Sequence, residues 1–244
     1  MIGADGLHSG VRRLIFGADD QFLRFMGLHV AVFSIPNFLG LDHWEVLCRD
    51  GDMHNGLVLA TNKEGKARVY LGFGTDQPLA YDHRDIEAQK RLIANHYAGA
   101  RWEFPQILAH MQDASDFYFY SASQVRMDRW SQGHVVLVGD AGYSVTPATG
   151  QGTTLAIVGA YVLAGELAAH QAALVKGIAS YENELRDYVL RNLDVALDVA
   201  DATTPGQGSH KPSEAESLSH SDGMPNFDAL VQSIALKDYS VFER

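Results

Sequence analysis

Asp140 is the residue of this 244-residue chain best placed to meet a ligand. It follows Val135 to Val138, an unbroken apolar run closed by Gly139, the pattern of a strand buried on both faces of a parallel sheet. In open α/β sheets ligands bind beyond the carboxyl ends of the strands, so a lone carboxylate there can accept a hydrogen bond from a sugar or polyol hydroxyl. Pro147, Gly150, Gln151 and Gly152 follow in a loop without bulk, and a helix is predicted from near Thr153. Glycines let the backbone approach a flat ligand, and the helix start offers free N–H groups and the positive end of its dipole. Near the N-terminus, Asp5 and Gly6 close a second short apolar strand, Met1 to Ala4. Asp5 stands where it can cap a helix beginning near Ser9 that carries Arg12.

Two motifs in this order carry a family resemblance. Residues 139–156, GDAGYSVTPATGQGTTLA, resemble the GD motif of class A FAD-dependent monooxygenases, the group of para-hydroxybenzoate hydroxylase and the polyketide and tetracycline hydroxylases. Residues 2–13, IGADGLHSGVRR, resemble the DG motif of the same family, and the connecting QVRMDRWSQGHVVLVGDA is also family-like. The resemblance implies FAD as cofactor, NAD(P)H as electron donor, and transfer of one oxygen atom of O2 to an aromatic or polyketide-like small molecule. It implies cofactor contacts by Asp5, Gly6, Arg12, Gly139, Asp140, Pro147, Gly150, Gln151, Gly152 and Thr153. The Gly150-Gln151-Gly152 turn would then lie beside the flavin ring, with the helix start stabilising negative charge on the reduced ring. Many members read GDAAH where this chain has Ala141, Gly142 and Tyr143, and a tyrosine cannot shuttle protons near neutral pH as histidine can. The cofactor carries the chemistry, so no nucleophile, acid or base is demanded. His29, His43 and Tyr120 are candidates to orient a phenol.

The implied fold is α/β with mixed α+β character: a partial doubly wound FAD-binding domain, an inserted, mostly antiparallel β substrate domain, and C-terminal helices. Members of the family open with a GxGxxG turn, and none occurs in this sequence. Met1 to Ala4 and Val135 to Val138 supply only two strands for a parallel sheet that normally has about four to six. The reading is therefore a truncated flavoprotein. Two alternatives remain open, a non-catalytic remnant and a same-fold flavoprotein with another redox reaction.

Residues 1–20 and 126–200 are assigned to the FAD-binding domain and 21–125 to the substrate domain. Strands are predicted for Phe22 to Ile35, His43 to Arg49, Gly56 to Thr61, Ala67 to Phe73 and Phe117 to Met127, with a turn at Asn62 to Lys66. Helices are predicted for Asp82 to Tyr97, Glu103 to Met111 and Tyr181 to Ala200, the last amphipathic through Leu185, Val189, Leu193 and Leu197. Phe117, Tyr118, Phe119 and Tyr120 either pack in the core or face a substrate cavity. Residues 201–226, rich in Thr, Pro, Gly, Ser and His, read as a flexible segment. The histidines His210 and His220 there are expected to be solvated and to hold no metal. Residues 227–244 recover an apolar pattern and read as a docking segment.

A hydrophobic content of 46% supports a sizeable core, while a net charge of −11 argues against nucleic acid, whose phosphates need a basic face. With Cys48 as the single cysteine, no intrachain disulfide or cysteine metal site can form, which suits a reducing cytoplasm. The most apolar helix, Leu155 to Leu167, falls short of the about 20 residues that span a bilayer. No membrane partner is expected, and a homodimer is compatible with the sequence.

Overall fold

The computed structural model describes residues 1–50, 54–60, 65–146, 149–203 and 230–240. Pro147, His210, His220, most of the 201–226 segment and the start of the docking segment lie outside the described residues. The chain divides into two compact units. The first comprises Met1–Met26, Ser123–Thr203 and Gly208–Arg244, and the second is formed essentially by Gly27–Ala122.

In the first unit, β1 (Ile2–Gly3) pairs in parallel with β8 (Val135–Leu137), placing Ile2 opposite Val136 and Gly3 opposite Leu137. A third strand, β7 (Ser131–Gln132), runs antiparallel to β8. The sequence reading missed it, because a two-residue polar strand ahead of Gly133 has no apolar alternation to betray it. Helix α1 (Gly10–Ile15) follows β1, and the short α4 (Asp140–Tyr143) follows β8. Helix α5 (Gly152–Ala169) packs on α6 (Leu174–Thr203).

The core of this unit joins Val136, Leu137, Leu155, Val162, Leu163, Leu185, Val189 and Leu193 with the aromatic trio Trp130, Tyr143 and Tyr181. Glu182 of α6 accepts a hydrogen bond from the Trp130 backbone (2.8 Å) and one from Arg186 (2.8 Å), whose guanidinium sits over the Trp130 ring. The amphipathic helix begins earlier than expected, since Ile178 extends its apolar stripe N-terminally, and it also ends later, at Thr203. Helix α5 also outgrows its sequence estimate. With 18 residues and a mean hydropathy of 1.4, it is long and apolar enough to cross a membrane. Its length no longer excludes a spanning role, but Leu155, Val162 and Leu163 are spent on the core it shares with α6.

The second unit is a five-stranded sheet in the order β3-β4-β5-β2-β6, formed by β2 (Leu23–Pro36), β3 (Glu45–Asp50), β4 (His54–Ala60), β5 (Lys66–Gly74) and β6 (Tyr118–Val125). The pairs β3/β4, β4/β5 and β2/β5 are antiparallel. Helices α2 (Ile86–His96) and α3 (Phe104–Gln112) contribute Ile93, Phe104, Ile107 and Met111 to a core with Ala31, Phe33, Val69, Leu71, Phe117 and Phe119. Asp85 caps α2 through the Ala88 N–H at 2.8 Å, so the helix begins after Asp85 and not at Asp82. The register sets Leu47, Leu57, Tyr70 and Val32 side by side across four strands on the other face of the sheet. Of the aromatic run, Phe117 and Phe119 are core residues, whereas Tyr118 is exposed and stacks on Tyr120 with ring centroids 5.5 Å apart.

Candidate functional site

A concavity of about 710 Å³ opens in the first unit, at the carboxyl ends of β1 and β8 and beside the start of α5. Its volume lies within the usual range for small-molecule and cofactor sites, about 300 to 1,000 Å³. Gly6, Gly139, Asp140, Gly150, Gly152 and Thr153 line it, so six of the residues singled out in the sequence meet on one surface. Ala4, Val138, Ser144, Val145 and Thr146 complete its strand and turn side, and Ala156, Ile157 and Ala160 its helix side. The periodicity of α5 held the signal for the last three, since Thr153, Ala156, Ile157 and Ala160 recur at helical spacing.

The β8 exit explains the glycine before the acid. Gly139 has φ 64° and ψ −144°, a conformation open essentially only to glycine, and a Cβ there would stand 3.3 Å from that of Ala156. Farther along, Thr146 adopts φ 76°, an outlier for a β-branched residue that costs on the order of 1 to 3 kcal/mol. Strain of this kind concentrates at ligand sites.

Asp140 is the one charged residue of the lining among the described residues. Packing around its carboxyl raises its pKa above the ordinary value, against an opposing hydrogen bond from Ser144. The residue as a whole is exposed, so its carboxyl is open to a donor from a ligand. Helix α5 starts at Gly152 with no side-chain cap and no acidic residue in its first turn, leaving its N–H groups and positive end for a ligand. A Cβ built on Gly6, Gly150 or Gly152 meets no atom within 4 Å, so these glycines leave open room at the cavity surface. A cradle of backbone and small side chains with one carboxylate acceptor fits a flat cofactor bearing a polyol chain.

Three sequence candidates stand outside this lining. Asp5 accepts from the Ser9 hydroxyl (2.5 Å) and the backbone N–H of Gly10 (2.7 Å) and Val11 (3.1 Å). These bonds, the Ser9 one foremost, hold its pKa below the ordinary value. Its carboxylate is thus used in securing the start of α1, whose N-cap is Ser9. Arg12 is fully buried and donates to the carbonyls of Ala141 (2.9 Å) and Leu7 (2.6 Å) and to Asp19 (2.6 Å). Its guanidinium ties the DG segment to the GD turn instead of reaching the cavity. Gln151 is the N-cap residue of α5, and its buried Oε1 has no hydrogen-bond partner among the described residues. Pro147 lies outside the described residues.

In the second unit, His29 is fully buried. Ser121 Oγ stands 2.9 Å from its Nδ1 and Thr75 Oγ1 2.9 Å from its Nε2, and burial lowers its pKa to about 4. His43 is exposed and paired with Asp42. Burial pushes Tyr120 up to about 12, aided by the nearby Tyr118 and Tyr70.

The pattern that defines the FAD binding domain matches residues 1–196. The chain belongs to this FAD-binding family. A flavin-dependent monooxygenase from an unknown prokaryotic organism is 42% identical over 196 residues, covering 79% of this chain and 49% of that protein. A Mycobacterium tuberculosis protein is 43% identical over 239 residues, covering 98% of this chain and 59% of its own length. Among solved structures, the tetracycline destructase Tet(51) superposes with a TM-score of 0.82 at 33% identity, over 98% of this chain and 62% of that one. The chain thus spans about half to three-fifths of the relatives it matches. The resemblance to class A FAD-dependent monooxygenases read from the two motifs holds, as does the mixed α/β fold. FAD is the cofactor of this family.

Proposed function

We propose that the chain forms the flavin-contacting part of an FAD-dependent monooxygenase, which takes electrons from NAD(P)H and places one oxygen atom of O2 in an aromatic or polyketide-like small molecule. The observation that carries this reading is the pairing, in one cavity, of Asp140 with the uncapped start of α5. In this reading Asp140 accepts from a hydroxyl of the ribityl chain, and the glycines at 6, 139, 150 and 152 let the backbone approach the ring. The N–H groups of the α5 start then stabilise negative charge on the reduced ring. FAD, when bound, supplies the redox and oxygen chemistry, and the chain's own residues bind, orient and exclude water.

An aromatic substrate class is supported by the row of Val32, Tyr70, Leu57 and Leu47 on the sheet face away from the helices, with Tyr118 and Tyr120 beside it. The name of the tetracycline destructase, a neighbour at 33% identity, points to a multi-ring substrate of the same kind. A single cysteine suits a reducing compartment, which we take to be the cytoplasm.

The test is anaerobic reduction of the FAD-loaded protein by NADPH and by NADH, followed by aerobic turnover on aromatic and tetracycline-like compounds with mass analysis of products. Addition of one oxygen atom with coupled loss of NAD(P)H supports the proposal. NAD(P)H consumption with no oxygenated product assigns another redox reaction, and failure to hold FAD in every form of the protein assigns a non-catalytic role.

A further inference from the structure

The GD turn departs from the family pattern at Gly142 and Tyr143, and Tyr143 is placed unlike a proton carrier. It is 1% exposed, ends α4 three residues after Asp140, and precedes Ser144. Tyr181 of α6 donates its hydroxyl proton to the carbonyl of Leu137, the last residue of β8, at 3.0 Å. The Tyr143 hydroxyl, 3.0 Å from that of Tyr181, is therefore the donor in their contact. Burial pushes Tyr143 up to about 12 and Tyr181 well above its ordinary value, so both phenols stay protonated near neutral pH and the direction of the chain is fixed.

The same phenol rests on α5 at Gly159. A Cβ built on Gly159 would fall inside the Tyr143 hydroxyl and would meet its Cζ at 3.1 Å. Only glycine leaves this seat open, and the neighbouring Ala156 and Ala160 of α5 line the cavity. Tyr143 thus joins the turn that carries Asp140 to β8, α6 and α5 at once. Trp130 packs on its ring with centroids 4.8 Å apart.

We propose that Tyr143 is a positioning residue for the flavin site: seated on Gly159 and bonded through Tyr181 to Leu137, it fixes the turn that presents Asp140 and Ser144 to the cavity. It does not line the cavity itself. The inference rests on the FAD reading of this cavity for its functional meaning, and its geometry can be tested without FAD.

The experiment compares wild type, Gly159→Ala, Tyr143→Phe and the Gly159→Ala/Tyr143→Phe double variant by two readouts. One is titration of the Asp140 carboxyl by carbon-13 NMR, assigned with Asp140→Asn. The other is FAD affinity by flavin fluorescence. Gly159→Ala should return the Asp140 pKa toward its ordinary value and weaken FAD binding by about tenfold or more, the usual effect of a mispositioned contact. The double variant should recover much of both, because the hydroxyl that meets the new Cβ is gone. Should Gly159→Ala fail to fold, Tyr181→Phe breaks the chain from its other end and should shift the Asp140 titration in the same direction. An Asp140 titration that is identical in all folded variants, whatever their melting temperatures, overturns the inference and leaves Tyr143 as core packing. FAD binding absent from wild type while the Asp140 titration responds as described overturns the flavin reading and upholds the positioning role.

Discussion

The ligand cavity of the first unit and the histidine cluster of the second treat their titratable groups in opposite ways. In the first, the concave site is made of backbone, glycines and alanines, and its one charged group, Asp140, is left for a ligand. In the second, the buried polar group His29 is closed in by Ser121, Thr75 and the rings of Phe73 and Phe119. The contrast teaches where information lies. A site built from backbone needs glycines at fixed positions and so announces itself by spacing. A face built from side chains changes with every substitution and points to a substrate class at most.

Breaking the tie between the two motifs should have the largest effect. Arg12→Ala removes a fully buried guanidinium, its three hydrogen bonds and one of the two arginine partners of Asp19, the other being Arg13. Losing these buried, charge-assisted hydrogen bonds costs on the order of 3 kcal/mol, and urea unfolding followed by Trp fluorescence measures it. If that loss stays below about 1 kcal/mol, Arg12 is not what joins the DG segment to the GD turn.

The enclosed polar site of the second unit makes a pH prediction. His29 titrates near 4 in the fold and near 6.5 when unfolded, so the unfolded chain binds the extra proton as pH falls. The contribution of His29 is complete above about pH 6.5 and is lost between there and about pH 4, a difference of up to about 3 kcal/mol. After burial, the backbone of Gln77 opposes this lowering and electrostatic interaction with His96 adds to it. Unfolding midpoints of wild type and His29→Gln should converge as pH falls from 7 to 4, and a constant gap would show that His29 is not held neutral.

A third, smaller test concerns the C-terminal segment docked on α5. The ring of Tyr239 lies where a Cβ of Gly165 would stand, and Tyr239 and Lys237 both donate to Glu166, at 2.8 and 3.0 Å. Burial alone would raise the pKa of Glu166, but these two partners outweigh it and hold the carboxyl below its ordinary value. Gly165→Ala should cost about 1 to 3 kcal/mol by overpacking, read as a drop in melting temperature. The smallest effect belongs to the sheet face: Tyr118→Ser, at a side chain 62% exposed, should change stability by less than about 0.5 kcal/mol.

Much of the fold was legible because alternation and turn chemistry are local. The strands Leu23–Pro36, Glu45–Asp50, Lys66–Gly74 and Tyr118–Val125 each begin or end within about two residues of the predicted bounds. The cavity was legible through Gly6, Gly139, Asp140, Gly150, Gly152 and Thr153. Arg12 and Asp5 were assigned to that cavity because their motif was readable, while their bonding was not. The decisive partner of Arg12 is the carbonyl of Ala141, 129 positions away in sequence. Tyr143 was seen as a missing histidine, and its place on Gly159 is a tertiary fact with no local pattern.

Titration of the purified chain with FAD, in wild type and in Asp140→Ala, tests the central claim most directly. The account predicts saturable quenching of flavin fluorescence by wild type and binding weaker by about 1 to 3 kcal/mol, roughly ten- to a hundredfold, in the variant. No saturable binding by the wild-type chain, or equal affinity in the two proteins, would contradict it.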